Sequence, residues 1–289
     1  MTDSNTQIDA LIARIAHRFA KSGIAYGQGA PDALAEAEML VYGFARRHPD
    51  LDAATLDDLA RRRITQRIPA QHLTGEAYFG GLWFAVASGL MIPRSPIAEL
   101  LDARMQPWIQ AAPRRVLDLC CGTGCLGICA ALAFPDAEVV LVDCDDRALA
   151  CATVNAERHG VRERVRVIRS DLLDAVHAPD TSLFDLVIAN PPYVPEAEVE
   201  AAEPEFHREP LLGLAAGSDG LTIWRRILAG LPRVISPAGT LVGECGTVAA
   251  AFAAEFASIE PVWPEITHAQ RMDDGPFGVF VADAVHLVR

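Results

Sequence analysis

The stretch RVLDLCCGTGCLG, Arg115–Gly127, decides the fold. Its first five residues have the apolar and β-branched character of a buried strand, and its last residues open an apolar helix. Between them, Gly122, Gly124 and Gly127 form a G-x-G-x-x-G pattern, in which glycines let the backbone turn tightly and approach a ligand. The pattern alone is weak evidence, but a strand, a glycine-rich turn and a helix in this order predict a cofactor-binding α/β unit.

Strand and helix patterns alternate after this stretch, which predicts an open, mostly parallel sheet with helices on both faces. Ligands of such sheets bind at the carboxyl ends of the strands, so the residues that end strands are the candidate site residues. Strands are predicted within RRVLDLC (114–120), AEVVLVDC (137–144), RVRVIRSD (164–171), FDLVIAN (184–190), GTLVGECG (239–246), VWPEITHA (262–269) and FGVFVADA (277–284).

The first part of the chain has a different pattern. Apolar residues recur at helical spacing in IDALIARIAHRFA (8–20), ALAEAEMLVYGFARR (33–47) and TLDDLARRRITQR (55–67), and Thr55 is the predicted N-cap of the third helix. Aromatic residues and glycines in GEAYFGGLWFAVASGLMIPR (75–94) predict a β-hairpin. The predicted parts are a helical substrate-recognition domain (1–72), a hairpin linker (73–94) and the sheet domain (95–289).

The charge of the chain is unevenly distributed. The net charge is −13, yet the first 70 residues hold nine acidic and nine basic side chains, so the whole excess lies in residues 71–289. Such a field repels nucleic-acid backbones and favours a basic partner. No apolar run reaches the ~18 residues of a membrane span. Seven cysteines without a small disulfide framework favour reduced thiols and a cytoplasmic location.

Three carboxylates mark the expected cofactor side of the sheet. Asp143 ends the second strand of the sheet domain, where an acidic residue hydrogen-bonds a ribose, and its structural alternative is the N-cap of the next helix. Asp171 follows the third strand, where it could accept from an adenine amino group. Asp118 lies inside the first strand, where a carboxylate suits a cationic ligand better than a pyrophosphate. Together they favour S-adenosylmethionine over a nicotinamide dinucleotide.

The fourth strand ends in the sequence NPPY, Asn190 to Tyr193. The Asn190 side-chain oxygen and the Pro191 carbonyl are two acceptors that can hold both hydrogens of one –NH2 group. The prolines keep the turn rigid, and Tyr193 can stack on a planar group. Such a grip presents a planar amine or amide nitrogen to a methyl donor, so we predict catalytic roles for Asn190, Pro191 and Tyr193. A proline-rich turn capped by asparagine is the structural alternative.

The cysteines near the glycine-rich turn raise the question of a metal site. Cys121, Cys125 and Cys129 recur every four residues, a spacing that matches neither a zinc site nor a radical enzyme. We interpret them as small residues that pack a helix on the sheet, and we expect no metal.

These strand ends resemble those of class I S-adenosylmethionine-dependent methyltransferases, and NPPY is the motif of the members that methylate amino groups. QRIPAQHLTGEAYFGGLWFAV, MIPRSPIAELL and the run from NPPYVP to EPLLGLAAGSDGLTIWRRIL look like the HemK/PrmC family over nearly the whole chain. The resemblance implies a seven-stranded Rossmann-like sheet with a helical N-terminal domain and a hairpin linker. It also implies methylation of a glutamine side-chain amide in a protein of the translation machinery, with S-adenosylhomocysteine as product. The implied cofactor site comprises Cys120, Cys121, Gly122, Thr123, Gly124, Asp143, Asp171, Leu172 and Asn190, and the implied substrate site comprises Asn190, Pro191, Pro192 and Tyr193.

Within this family, IPRSPIAEL, Cys120 and EPLLGLAAGSDGL resemble the PrmB branch, which acts on the third protein of the large ribosomal subunit. The PrmC branch acts on the Gly-Gly-Gln loop of release factors and is the alternative. The chain departs from the family at Cys121, where a threonine or a similar small polar residue is usual, and in the extra residues of MDDGPFGVFVAD. An RNA or DNA amino-methyltransferase shares NPPY, but the charge of the chain counts against it. A non-catalytic binder is disfavoured because Asn190, Asp118 and Asp143 are all present.

The segment that follows NPPY is strongly acidic. PEAEVEAAEPEFHREP (195–210) holds six glutamates between Glu196 and Glu209. They form either a solvated face or an acidic rim beside the active site that attracts a basic ribosomal protein.

Overall fold

The computed structural model describes residues 2–48, 50, 52–176, 183–266 and 278–287. The chain divides into two compact units. The first comprises Met1–Arg94 together with Ala201–Pro210, and the second comprises Ser95–Glu200 together with Leu211–Arg289. The short segment Ala201–Pro210 therefore belongs to the helical unit, although the residues before and after it in the sequence belong to the sheet-containing unit.

The first unit is built on helices, as its apolar periodicity predicted. Its core contains buried apolar residues from each of the three long helices, including Phe19, Leu40 and Leu56. The helices are α1 (Thr2–Ala20), α2 (Ala33–Arg47), α3 (Ala53–Gln66) and the short α4 (Ala70–Thr74).

The predicted N-cap of α3 is wrong. The helix is capped by Asp52, whose carboxylate accepts hydrogen bonds from the backbone N–H groups of Ala54 and Thr55. Asp52 has the extended backbone that an N-cap requires, whereas Thr55 already lies inside the helix. The cap lowers the pKa of Asp52, chiefly through a hydrogen bond from the Thr55 side chain.

The predicted hairpin is confirmed. Strands β1 (Glu76–Phe79) and β2 (Leu82–Ala85) pair antiparallel, with Phe79 opposite Leu82. The two residues between them, Gly80 and Gly81, have φ of 54° and 78°. Two consecutive positive φ angles match the twist of a tight hairpin, and glycine adopts them without steric cost.

The second unit contains a six-stranded sheet among the described residues, with the strand order β5-β4-β3-β6-β7-β8. All neighbouring strands are parallel except β7 and β8, which are antiparallel. The order reverses at β3, which lies between β4 and β6, so the carboxyl ends of these strands flank a switch point. The strands are β3 (Arg115–Leu119), β4 (Glu138–Asp143), β5 (Val165–Arg169), β6 (Phe184–Ala189), β7 (Ile235–Glu244) and β8 (Val279–Asp283).

Helices accompany these strands in the alternating order that the sequence predicted. Parallel strands are buried on both faces, and Leu117, Leu119 and Val187 are fully buried in the resulting core. The helices are α5 (Ile97–Asp102), α6 (Cys125–Ala133), α7 (Asp146–Arg158), α8 (Glu196–Ala201), α9 (Thr222–Gly230), α10 (Ala249–Glu255) and α11 (Ala284–Leu287). In the part of the chain that the structure describes, no helix is both long and apolar enough to cross a membrane.

A seventh strand is not confirmed. Of the predicted strand VWPEITHA, the structure describes residues 262–266, and these form a single antiparallel bridge from Val262 to Val281 of β8. Two backbone hydrogen bonds of 2.9 Å and 2.8 Å join this pair. Pro264 lacks a backbone N–H and cannot extend the ladder, which explains why the pairing stops there. Residues 267–269 of the predicted strand lie outside the described residues.

Gly127, in the first turn of α6, lies where the helix meets the sheet. A Cβ atom there would stand 2.2 Å from Leu141 Cδ2 and 2.9 Å from Asp118 Oδ2. We expect Gly127→Ala to destabilise the second unit by about 1–3 kcal/mol, the usual cost of overpacking, in urea unfolding. Leu132→Ala, at a position 41% exposed on the same helix, should change stability much less. Equal stability of the parent and Gly127→Ala would show that α6 has room to shift.

Candidate active site

The turn after β3 is held in a strained backbone conformation. Cys120 has a φ of 57°, a left-handed value that is uncommon for residues with a Cβ atom. The turn is tied to β4, because the Cys121 N–H donates to the Val142 carbonyl at 3.0 Å. Strain of this kind persists where the surrounding structure imposes it, and it clusters at ligand-binding sites.

The two glycines of this turn have different roles. A Cβ atom on Gly124 would stand 2.9 Å from the Ala152 Cβ, so this glycine serves the packing of α7 against the turn. A Cβ atom on Gly122 would have no heavy atom of the described residues within 4 Å. Gly122 therefore faces open space, which lets a ligand approach the backbone directly. Asn155 of α7, which the sequence did not single out, supports the turn by donating to the Thr123 carbonyl at 3.0 Å.

Asp143, at the end of β4, holds the neighbouring backbone. Its Oδ2 accepts from the Gly122 N–H at 2.8 Å, and its Oδ1 accepts from the Asp145 N–H at 3.0 Å. Asp145, whose carboxylate accepts from the Arg147 N–H, is the N-cap of α7. Asp143 is thus not the helix cap that was its structural alternative.

Asp118 is buried inside β3 with a relative exposure of 1%. Its Oδ2 accepts from the Gly127 N–H at 2.7 Å, while its Oδ1 has no hydrogen-bond partner among the described residues. Burial raises the pKa of this carboxyl to about 7, with the Gly127 hydrogen bond opposing the shift and Asp143 adding to it. A buried acceptor without a partner is costly, so a donor or a cation nearby would stabilise it.

A groove of about 480 Å³ lies at the carboxyl ends of β4 and β5. Its size is in the usual range of small-molecule sites. Leu172, beside the groove, has a left-handed φ of 50°, and Asp171 pairs with Arg226 at 2.8 Å. The groove is lined by Cys144, Arg169, Ser170, Asp171, Asp174 and Ala175.

The NPPY turn follows β6 directly. Asn190 is half-buried at the end of the strand, and Pro191 is buried. The Tyr193 hydroxyl donates to Glu244 Oε1 at 2.9 Å, and the tyrosine ring lies against Gly246. The sequence predicted that Tyr193 stacks on a planar group. It did not indicate Glu244, the last residue of β7, as the partner of the tyrosine hydroxyl.

The acidic segment after NPPY is only partly solvated. Glu205 and Glu209 are buried in the first unit, where Glu205 pairs with Arg63 at 3.1 Å and Glu209 pairs with Arg94 at 2.5 Å. For these two residues the interpretation as a solvated face is wrong, because they are buried and paired with arginines of the same unit, while the acidic rim stays a prediction for the exposed glutamates. The exposed glutamates are Glu196, Glu198, Glu200 and Glu203.

The cysteines of the turn and of α6 form no bonds to one another and are free thiols. Cys121 and Cys125 are buried, and burial raises the pKa of both thiols. No group of three or more metal-ligating side chains occurs among the described residues.

The chain matches the family model described as the methyltransferase small domain over residues 98–208. A ribosomal protein uL3 glutamine methyltransferase of Bordetella pertussis is 40% identical over 267 residues, which cover 88% of this chain and 89% of that protein. The protein with the same description from Burkholderia pseudomallei is 37% identical, covering 91% and 92%.

The solved structures that the chain matches are more distant in sequence. A methyltransferase from Pyrococcus furiosus is 12% identical with a TM-score of 0.46, covering 83% of this chain and 98% of that one. A ribosomal protein L11 methylase from Lactobacillus delbrueckii subsp. bulgaricus is 18% identical with a TM-score of 0.41, covering 64% and 77%.

Proposed function

Because the chain belongs to the same family as these ribosomal protein uL3 glutamine methyltransferases, we propose that it methylates a glutamine side-chain amide of uL3 with S-adenosylmethionine. The observation that carries the proposal is the identity of 40% over 88% of the chain. A release-factor glutamine is the alternative substrate, and no comparison favours it.

The residues at the ends of β3, β4 and β5 suit this cofactor. Gly122 offers open backbone, Asp118 offers a buried acceptor without a partner, and the groove after β5 has room for a planar base. We assign the ribose hydroxyls to Asp143, because its carboxylate oxygens each have a second lone pair beyond the backbone bonds they accept. When bound, the cofactor supplies a methyl group on a positively charged sulfur. The carboxylates of Asp118 and Asp143 complement that charge.

The NPPY turn would act by positioning. The Asn190 side-chain oxygen and the Pro191 carbonyl accept the two hydrogens of the target –NH2 group and hold its nitrogen in line with the methyl carbon. The nitrogen–carbon bond forms as the sulfur–carbon bond breaks, and one amide proton passes to solvent. An amide nitrogen becomes strongly acidic as it is alkylated, so no strong base is needed.

The charge of the chain supports a basic protein substrate. The net charge of −13 lies wholly within residues 71–289, and complementary fields accelerate encounter. All seven cysteines are free thiols, which favours the reducing cytoplasm as the place of reaction.

The test is a side-by-side assay with labelled S-adenosylmethionine and purified uL3, release factors and RNA. We expect label on uL3 alone, on a glutamine located by mass spectrometry. The kcat/KM for uL3 should fall as salt rises from low to moderate concentration, since charges separated by more than ~10 Å are screened at 0.1 M. Label on release factors only, or on RNA only, would overturn the proposal.

A second prediction concerns the cofactor site. Asp143→Ala should weaken binding of S-adenosylhomocysteine by about 1–3 kcal/mol, the cost of leaving polar partners unpaired. Isothermal titration calorimetry measures this directly. Asp145→Ala is the matched control, because Asp145 caps α7 through the Arg147 N–H. Equal affinities of the parent and Asp143→Ala would remove Asp143 from the site.

A further inference from the structure

Tyr193, the last residue of NPPY, is held at both ends of its side chain within the second unit. Its hydroxyl donates to Glu244 Oε1 at 2.9 Å. Its ring lies so close to Gly246 that a Cβ atom there would stand 2.3 Å from the ring. Gly246 has a φ of 46°, so both its conformation and its neighbour require glycine. The ring position is therefore set by residues at and just beyond the end of β7.

The backbone of Tyr193 is also closely packed. A Cβ atom on Gly220 would stand 2.3 Å from the Tyr193 carbonyl oxygen. The next residue, Val194, donates from its N–H to the Leu214 carbonyl at 2.9 Å and accepts from the Ala216 N–H at 3.0 Å. These contacts leave the turn little freedom on its carboxyl side, so a shift of Tyr193 would be transmitted to the prolines before it.

Glu244 connects this turn to a second part of the unit. Its Oε2 accepts from the Ser95 hydroxyl at 2.5 Å, and Ser95 lies just before α5. Glu244 is 5% exposed. A carboxylate is costly to bury, but its two oxygens form stronger hydrogen bonds than a neutral acceptor would. The carboxylate thus binds two hydroxyls from segments 98 residues apart in the chain, Ser95 and Tyr193.

We propose that Glu244 and Ser95 are positioning residues of the methyl-transfer site. They fix the ring of Tyr193, and through it the turn whose Asn190 and Pro191 oxygens hold the target amide. This inference rests on the proposed function. Because a misplacement of about 1 Å at a reacting centre can cost ~100-fold in rate, the contribution should appear in the rate and not in cofactor affinity.

Single-turnover methylation of uL3 tests the proposal. Glu244→Ala should slow the reaction by about 10–100-fold while affinity for S-adenosylhomocysteine stays near the parent value. Glu244→Gln should recover most of the rate, because its amide oxygen accepts from Tyr193 while its –NH2 group donates to the Ser95 oxygen. Glu138→Ala, at an exposed carboxylate at the start of β4, is the matched control and should react at the parent rate.

A double-mutant cycle separates this role from a general loss of stability. Tyr193→Phe combined with Glu244→Ala should be no slower than Glu244→Ala alone, because both changes remove the same hydrogen bond. Multiplied effects, or a parent rate for Glu244→Ala, would overturn the proposal. If Glu244→Ala does not fold, the rates of Ser95→Ala and Tyr193→Phe are compared with the rate of Glu244→Gln instead. Each of these two variants removes one hydroxyl that donates to Glu244.

A spectroscopic measurement gives a result that does not depend on activity. The chain has four tyrosines, so 3-fluorotyrosine labelling gives a small set of ¹⁹F resonances, and Tyr193→Phe assigns one of them. We expect Glu244→Ala to shift this resonance and to leave the others in place. An unchanged resonance would overturn the proposal even if the parent did not methylate uL3. Absence of uL3 methylation by the parent would contradict only the proposed function.

Discussion

Asn190→Ala should lower the single-turnover rate of methyl transfer by at least about 100-fold while the fold and cofactor affinity stay close to those of the parent. The side chain is half-buried at the end of β6. We propose that its oxygen is one of two acceptors that orient the target amide. Without it, the –NH2 group has a single acceptor and rotates away from the line of attack. The measurement is quenched-flow methylation of uL3 at saturating cofactor, with calorimetry of S-adenosylhomocysteine as the parallel readout.

Asn190→Asp is the sharper companion variant. It keeps the shape of the side chain and an acceptor oxygen at the same place, but it adds a negative charge and removes the amide nitrogen, so it tests whether retaining the acceptor alone preserves part of the rate. We expect its rate to lie between those of Asn190→Ala and the parent. A parent rate for Asn190→Ala would refute the catalytic role of the NPPY turn.

Arg63→Met should destabilise the first unit by about 3–5 kcal/mol, because it removes the buried guanidinium that pairs with both Glu36 and Glu205. Arg63 is fully buried, and its guanidinium bonds Glu36 Oε1 at 2.5 Å, Glu205 Oε1 at 3.1 Å and the Ala25 carbonyl at 2.6 Å. Hydrogen exchange of the α3 amides measures the change in stability of this unit alone. A single unfolding midpoint would not, because the chain has two units.

Arg61→Met is the matched control, two residues earlier on the same helix. Arg61 and its partner Asp58 are 58% and 50% exposed, and an exposed pair contributes only about 0–1 kcal/mol. Similar losses in the two variants would show that the buried cluster adds nothing beyond a surface pair.

The stability difference between Arg63→Met and the parent should also depend on pH. Burial raises the pKa of Glu205, but hydrogen bonds from Ala25 and Arg63 outweigh it, so the pKa is lowered overall. A lowered pKa in the folded state means that the carboxylate stabilises the parent fully above its unfolded pKa of about 4, and less as pH falls below it. We therefore expect the difference to be largest near neutral pH and to shrink at acidic pH.

Much of the site could be predicted from the sequence. Asp143 and Asn190 were placed at strand ends by the alternation of strands and helices, and the structure has Asp143 as the last residue of β4 and Asn190 directly after β6, whereas Cys120 and Leu172 were candidates only through the family resemblance. Parallel strands bring their carboxyl ends to one edge, so strand assignment was sufficient to group Asp143 and Asn190. The seventh strand, predicted at VWPEITHA, is not confirmed: its described residues pair with β8 only at Val262, because Pro264 has no N–H to extend the ladder.

The sequence by itself determined the three long helices of the first unit, the hairpin, the strand–helix alternation from Arg115 onward and the approximate carboxyl ends of β3 to β6. These follow from local patterns of apolar spacing and glycine placement. Only the tertiary structure decided which carboxylates are buried and what they bond. Glu205 meets Arg63 across 142 residues of sequence, and Glu244 meets Ser95 across 149. Local sequence does not distinguish a glutamate that is buried against an arginine from one that stays in water, because burial depends on which distant segment packs over the side chain.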